Sequence, residues 1–345
     1  MGISSSRSGA VQPRGEMIGE ADPAAHTQAS VQQIEALQRQ CADILKQVKA
    51  MNDQLSQLAV RESELRSVLE REAALQPYQE HLVKVLGNER LTEKVRSTID
   101  RAELHLQPFP YAIIDNLLPA ALYNCLLRGI PPIELFTSRP NRQNLSAPFA
   151  MAPSYSNHVW RFMAEVLVPE VIAPAIIEKF RHPLNEWTTR NWPDVPPESV
   201  VMHGSGGRIM LQRRGYRIRP HRDPKWGFLT GILYLARDGD SEAWGTQVYA
   251  VDEDREATNT APYWIDEKWC RLTEDVDYRP NRLLVFLNST GAHGAHIPAD
   301  AEPEALERYI YQFRIGPTTQ VISMLRSMLP EERRPLWAGK AQLDY

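Results

Sequence analysis

Between Ile34 and Leu69, apolar side chains recur at alternating spacings of three and four: Ile34, Leu37, Cys41, Ile44, Val48, Met51, Leu55, Leu58, Leu65 and Leu69. Glu62 alone breaks the seam, no Gly or Pro interrupts it before Pro77, and Glu, Gln, Lys, Arg and Ser fill most outer positions. Five heptads of this kind predict a coiled coil over 28–76, because so long an a/d stripe needs a partner to bury it. A parallel homodimer is the expected use, and a long helix folded back on its own domain is the competing one. Residues 1–27 are rich in Ser, Gly, Ala, Pro and Gln without periodic apolar positions, and read as a flexible tail.

Beyond Pro77 the pattern changes twice. A helical connector is expected over 77–107, and residues 112–115 read as a first strand, followed by a helix starting near Leu118. A loop is expected over 141–155, with helices over 157–166 and 173–180. After His203 short apolar runs separated by Gly, Pro, Asn and Asp predict strands at 208–211, 227–236, 246–251, 282–288 and 308–315. Many short strands with helices gathered before them predict an α+β fold, an antiparallel jelly roll (double-stranded β-helix) packed on helices. Nothing alternates as βαβ, so a nucleotide-binding α/β fold is not expected. His203-Gly204-Ser205-Gly206-Gly207 lacks the lysine of a phosphate loop and reads as a turn. A helix and tail are expected over 319–345.

Composition narrows the class. The 345 residues are 43% hydrophobic and 24% charged, ordinary for a globular chain. A net charge of −4 argues against a general nucleic-acid binder. Cys41, Cys125 and Cys270 are odd in number and far apart, so neither a disulfide framework nor a cysteine zinc site is expected, and a reducing, cytoplasmic location is the default. No apolar run approaches the roughly 18 residues that span a bilayer, and no secretory leader is read at the N-terminus. Met1-Gly2-Ile3-Ser4-Ser5-Ser6 fits a short acylation pattern, but a polar leader is the preferred reading.

The chemistry gathers around His221-Arg222-Asp223. Residues two apart on a strand share a face, so His221 and Asp223 can offer a nitrogen and an oxygen to one metal ion. His293 on a distant strand would complete a two-histidine, one-carboxylate set with open positions, the signature of non-haem Fe(II) oxygenases. His296, three residues on, is the alternative third ligand. Single histidines such as His158 and His203 read as ordinary surface or core residues. Tyr234, Trp226 and Trp244 read as packing.

From about Pro108 to Gly316 the sequence resembles the Fe(II)- and 2-oxoglutarate-dependent dioxygenases of the prolyl 4-hydroxylase-like branch. Phe109-Pro110-Tyr111-Ala112-Ile113-Ile114-Asp115 is similar to that branch's entry strand. Pro220-His221-Arg222-Asp223, the strand ending Tyr234-Leu235, the turn at Gly245, and the stretch from Asn288 to His293-Gly294 follow in the family's order. The resemblance implies an oxygenase domain over 108–318, with Fe(II) held by His221, Asp223 and His293 and with 2-oxoglutarate and O2 as cosubstrates. It implies that Arg308, opening the closing strand, grips the far carboxylate of 2-oxoglutarate; Arg314, on the same strand face, is the alternative. Tyr216 is similar to a tyrosine bordering the cosubstrate. The implied reaction hydroxylates a substrate (a peptidyl side chain, a sugar or a small metabolite) and releases succinate and CO2. An interaction protein with a degenerate barrel, and a metal-dependent hydrolase or isomerase, are the other readings.

Overall fold

A computed structural model of the chain describes residues 23–137, 139–145, 149–224, 227–252 and 263–337. The acylation pattern, most of the expected tail, Trp226 and the last eight residues lie outside them. The chain divides into two compact units, Met1–Glu62 and Ser63–Tyr345.

The first unit is helical where described. Helix α1, Pro23–Leu75, runs 53 residues and stops before Pro77, whose ring cannot continue a helix. Ile34, Leu37, Ile44, Val48, Met51, Leu55 and Leu58 all stand at least 47% exposed, so the apolar stripe is uncovered in the single chain.

In the second unit, helices α2 (Gln79–Leu86), α3 (Leu91–Arg101), α4 (Ala120–Arg128), α5 (Ser154–Arg161), α6 (Ala173–Lys179) and α7 (Arg181–Asn191) precede or flank eleven strands. The strands are β1 (Tyr111–Ile114), β2 (Arg142–Asn144), β3 (Met202–Gln212), β4 (Arg217–Arg222), β5 (Leu229–Tyr234), β6 (Thr246–Val251), β7 (Tyr263–Trp264), β8 (Cys270–Val276), β9 (Leu283–Leu287), β10 (Ala292–His296) and β11 (Arg308–Pro317). Helix α8 (Thr319–Ser327) follows, capped by the Thr318 hydroxyl.

One sheet has the order β1-β9-β5-β11-β3-β2 and the other β7-β4-β10-β6-β8, with every pairing antiparallel. Numbering β3 to β6 and β8 to β11 as strands one to eight gives inner orders 6-3-8-1 and 2-7-4-5, which is jelly-roll connectivity. Strand alternation sorts the large sheet's side chains. Ile209, Leu211, Leu233, Val285, Tyr309, Tyr311 and Phe313 join the helices in one core. Met210, Ile232, Tyr234, Leu284, Phe286 and Ile310 meet Val248 and Val276 of the smaller sheet in a second.

The stretch read as a turn, His203 to Gly207, is instead the first half of β3, paired with Arg314 to Gly316 of β11. A Cβ at Gly204 would stand 2.8 Å from Ala173 Cβ, and one at Gly207 would stand 2.5 Å from the Tyr311 ring. The glycines let a helical layer, including a π-helical stretch from Phe162 to Ile172, press directly on the strand. The expected loop over 141–155 also contains β2 and the start of α5.

Candidate metal centre

His221 is the penultimate residue of β4, Asp223 follows the strand's end, and His293 lies on β10, directly opposite His221 in the register. All three are buried, and one ligand atom from each lies within 4.8 Å of the others. Nε2 of His221 is 3.9 Å from Asp223 Oδ1, and Nε2 of His293 is 3.5 Å from Oδ2. The two imidazole centroids are 4.1 Å apart, and Phe286 backs His293 at 4.4 Å. His296 is exposed, opposite Arg217, and is not part of the cluster. His158 and His203 are exposed elsewhere.

Each group is held in a metal-ready form. His221 Nδ1 stands 2.9 Å from the Arg219 carbonyl, which can only accept, so Nδ1 carries the proton and Nε2 offers its lone pair. Burial pushes both histidine pKa values down, that of His293 to about 3 with help from neighbouring His221, so both rings are neutral at pH 7. Burial would raise the Asp223 carboxyl, but Arg314, the two histidines and the Thr230 hydroxyl outweigh it and hold the group below the ordinary carboxylate range.

Several supporting residues carry no motif. Thr230 donates to Asp223 Oδ2 at 2.8 Å, and Asn288 Nδ2 donates to Thr230 Oγ1 at 2.9 Å and to the Gly227 carbonyl at 2.7 Å. Arg222 Nε donates to the Gly291 carbonyl at 3.0 Å and its Nη2 to that of Thr290, tying the approach to His293 onto β4. The one sequence signal for Thr230 and Asn288 is polarity within or just after an otherwise apolar strand.

Both arginines of β11 face the space between the sheets, at opposite ends. Arg314 Nη2 donates to Asp223 Oδ1 at 2.8 Å, acting as the carboxylate's counter-ion. Arg308 is 2% exposed and donates to two neutral acceptors, Gln212 Oε1 at 2.7 Å and Thr246 Oγ1 at 3.3 Å, with exposed Asp275 within its field. Its guanidinium stands 5.3 Å and 5.2 Å from the ring centroids of Tyr234 and Tyr278, and its Nε is buried without a partner. Tyr216 is buried beside Ala295, Ile297 and Ala301; burial raises its hydroxyl pKa, against the fields of Arg142 and Arg308. Trp244 packs, half-buried, on the same cluster.

No protein-family model matches the chain, and no curated protein matches it in sequence. Solved structures similar to it include a prolyl hydroxylase from Trichoplax adhaerens in complex with a peptide fragment of the hypoxia inducible factor oxygen degradation domain. That pair shares 12% identity over 71% of this chain and 94% of that one, with a TM-score of 0.36. A Pseudomonas putida prolyl-4-hydroxylase shares 15% over 65% and 98%, with a TM-score of 0.33. HygX from Streptomyces hygroscopicus, with nickel and 2-oxoglutarate bound, shares 13% over 60% and 83%, with a TM-score of 0.36. These likenesses are distant, and it is this chain's own strand order and buried triad that define its fold and its site.

Proposed function

We propose that the chain is an Fe(II)- and 2-oxoglutarate-dependent dioxygenase, with His221, Asp223 and His293 as the iron ligands and Arg308 and Tyr216 at the cosubstrate. The observation that carries this reading is a buried set of two neutral histidines and one ionised aspartate at one end of the jelly-roll interior, with a buried guanidinium outside ion-pair distance of any described carboxylate further in. One ligand atom from each of the three lies within 4.8 Å of the others, close enough for a single ion to be held by all three. A planar guanidinium with a spare N–H, walled by two tyrosines, fits one end of a dicarboxylate.

When bound, the iron would supply the oxidising chemistry, in which one oxygen atom of O2 enters 2-oxoglutarate to give succinate and CO2 and the other hydroxylates a substrate C–H bond. The protein's residues position and insulate. The Arg219 carbonyl fixes the His221 tautomer, and Asn288, through Thr230, orients one oxygen of Asp223. Arg314 holds the other oxygen ionised. Val248, Ile232 and Phe286 keep water from the interior. In the same proposal, the seam of α1 is closed by a second copy of the chain as a parallel coiled coil.

The test is Fe(II)-dependent succinate formation from 2-oxoglutarate, beside anaerobic calorimetric titration of Fe(II). His221→Ala and Asp223→Ala should lose both signals. Arg308→Ala should bind Fe(II) normally but weaken 2-oxoglutarate by about 100-fold, the scale of a charge-assisted hydrogen-bond pair. Undiminished succinate formation by either ligand variant would sink the assignment.

A further inference from the structure

The inner wall of the large sheet carries more positive charge than the proposed cosubstrate uses. Edge strand β2 places Arg142 opposite Gln212. The Arg142 side chain lies on the inner face, where Nη2 is 3.9 Å from Met210 Sδ, a weak acceptor. Its Nε is buried without a partner, and no carboxylate among the described residues pairs with it. Two residues on, Asn144 has a buried side-chain oxygen that receives no donor. Gln212, the partner of Arg142 across the β2–β3 pairing, also accepts from Arg308, so both guanidinium groups belong to the same stretch of inner wall.

Among the described residues, Arg142, Arg308 and Arg314 face this interior; Asp223 pairs with Arg314, and exposed Asp275 lies within the field of Arg308, which leaves Arg142 without a carboxylate. A ferrous ion and a 2-oxoglutarate dianion cancel one another, so the loaded site would keep the Arg142 charge uncompensated. Uncompensated charge in a water-poor interior is costly, and an incoming anion relieves it. We propose that the substrate carries an oxyanion, a carboxylate or a phosphate, gripped by the Arg142 guanidinium through paired hydrogen bonds. This rests on the oxygenase reading and narrows its substrate class: Arg308 serves the cosubstrate, Arg314 serves Asp223, and Arg142 is left for the substrate. A hydroxyl or amine near the oxyanion would satisfy Asn144.

The experiment uses the full chain with Fe(II) and saturating 2-oxoglutarate in the absence of O2, titrated calorimetrically with inorganic phosphate and with acetate. At least one anion should bind, and Arg142→Gln should weaken it about tenfold or more, while 2-oxoglutarate affinity moves less than about twofold. Asn144→Asp, which supplies Arg142 with a built-in carboxylate, should abolish anion binding and covers the case in which Arg142→Gln does not fold. The inference is overturned if neither anion binds, if either variant binds it like the parent, or if Arg142→Gln weakens 2-oxoglutarate as much as the anion. Failure of the oxygenase reading looks different: 2-oxoglutarate itself gives no heat, whereas Arg142-dependent anion binding persists with Fe(II) alone.

Discussion

Asp223 sits among two neutral imidazoles, a hydroxyl and one guanidinium, and Arg314 alone balances its charge. Removing the carboxylate takes a buried ion-pair partner from that guanidinium, a loss on the order of 3–5 kcal/mol. Asp223→Ala should therefore unfold at a lower temperature than Arg314→Met once Fe(II) is added, because the metal replaces the missing cation in the second variant and has no carboxylate to bind in the first. Equal rescue of both by Fe(II) would show that Asp223 is not a ligand of the metal. The histidines give a pH dependence of defined sign. His293 titrates at about 3 when folded and near its ordinary 6.5 when unfolded, so between those values the unfolded chain holds a proton the folded one lacks. Stability present above pH 6.5 is then lost as pH falls through that window, and the downward shift of His221 acts in the same direction. Denaturant midpoints of the metal-free protein at pH 7.5, 6 and 5 should decline, and His293→Phe should flatten the slope. The triad was legible in the sequence because two ligands share a His-x-Asp spacing and the third follows an apolar strand. Thr230, Asn288 and Arg142 were not, because their parts depend on which strands pair.

At the scale of elements, the sequence predicted the strands whose apolar alternation is strong and missed those with another reason for being flat. β3 begins with His203-Gly204-Ser205-Gly206-Gly207, which has no alternation because the helical layer lies too close for side chains. β8 is polar because it is an edge strand of the smaller sheet, and β10 is five residues with a glycine where Ile218 O approaches. The boundary of α7 was hidden by Pro183, which sits in its first turns. The packing account makes a contrast within one strand. A Cβ on Gly207 would meet the Tyr311 ring and the Gln312 carbonyl at 2.5 and 2.6 Å, whereas the nearest atom at Gly206 is 3.3 Å away. Gly207→Ala should cost about 1–3 kcal/mol of overpacking strain, and Gly206→Ala distinctly less, by urea denaturation. Equal stability would mean that the β3–β11 pairing is looser than described.

At the scale of the whole molecule, the question is what covers the α1 stripe. With Ile34 at position a, the a layers are Ile34, Cys41, Val48, Leu55, Glu62 and Leu69, and the d layers are Leu37, Ile44, Met51, Leu58 and Leu65. The flanking g positions Gln33, Gln40, Gln47 and Gln54 are uncharged, so no charge repels an identical helix across these heptads. In a parallel, in-register pair each a residue faces its own copy, which places the two Cys41 side chains across the axis from one another. An antiparallel pair sets a against d and separates them unless its centre falls at that residue. Mild oxidation should then give a Cys41-linked dimer on a non-reducing gel, lost in Cys41→Ser. Leu37→Asp with Met51→Asp should convert the protein from dimer to monomer in sedimentation analysis, with the Fe(II) titration unchanged. A parent chain that sediments as a monomer would refute the pairing while leaving the metal centre intact, since all three proposed ligands lie beyond Glu62.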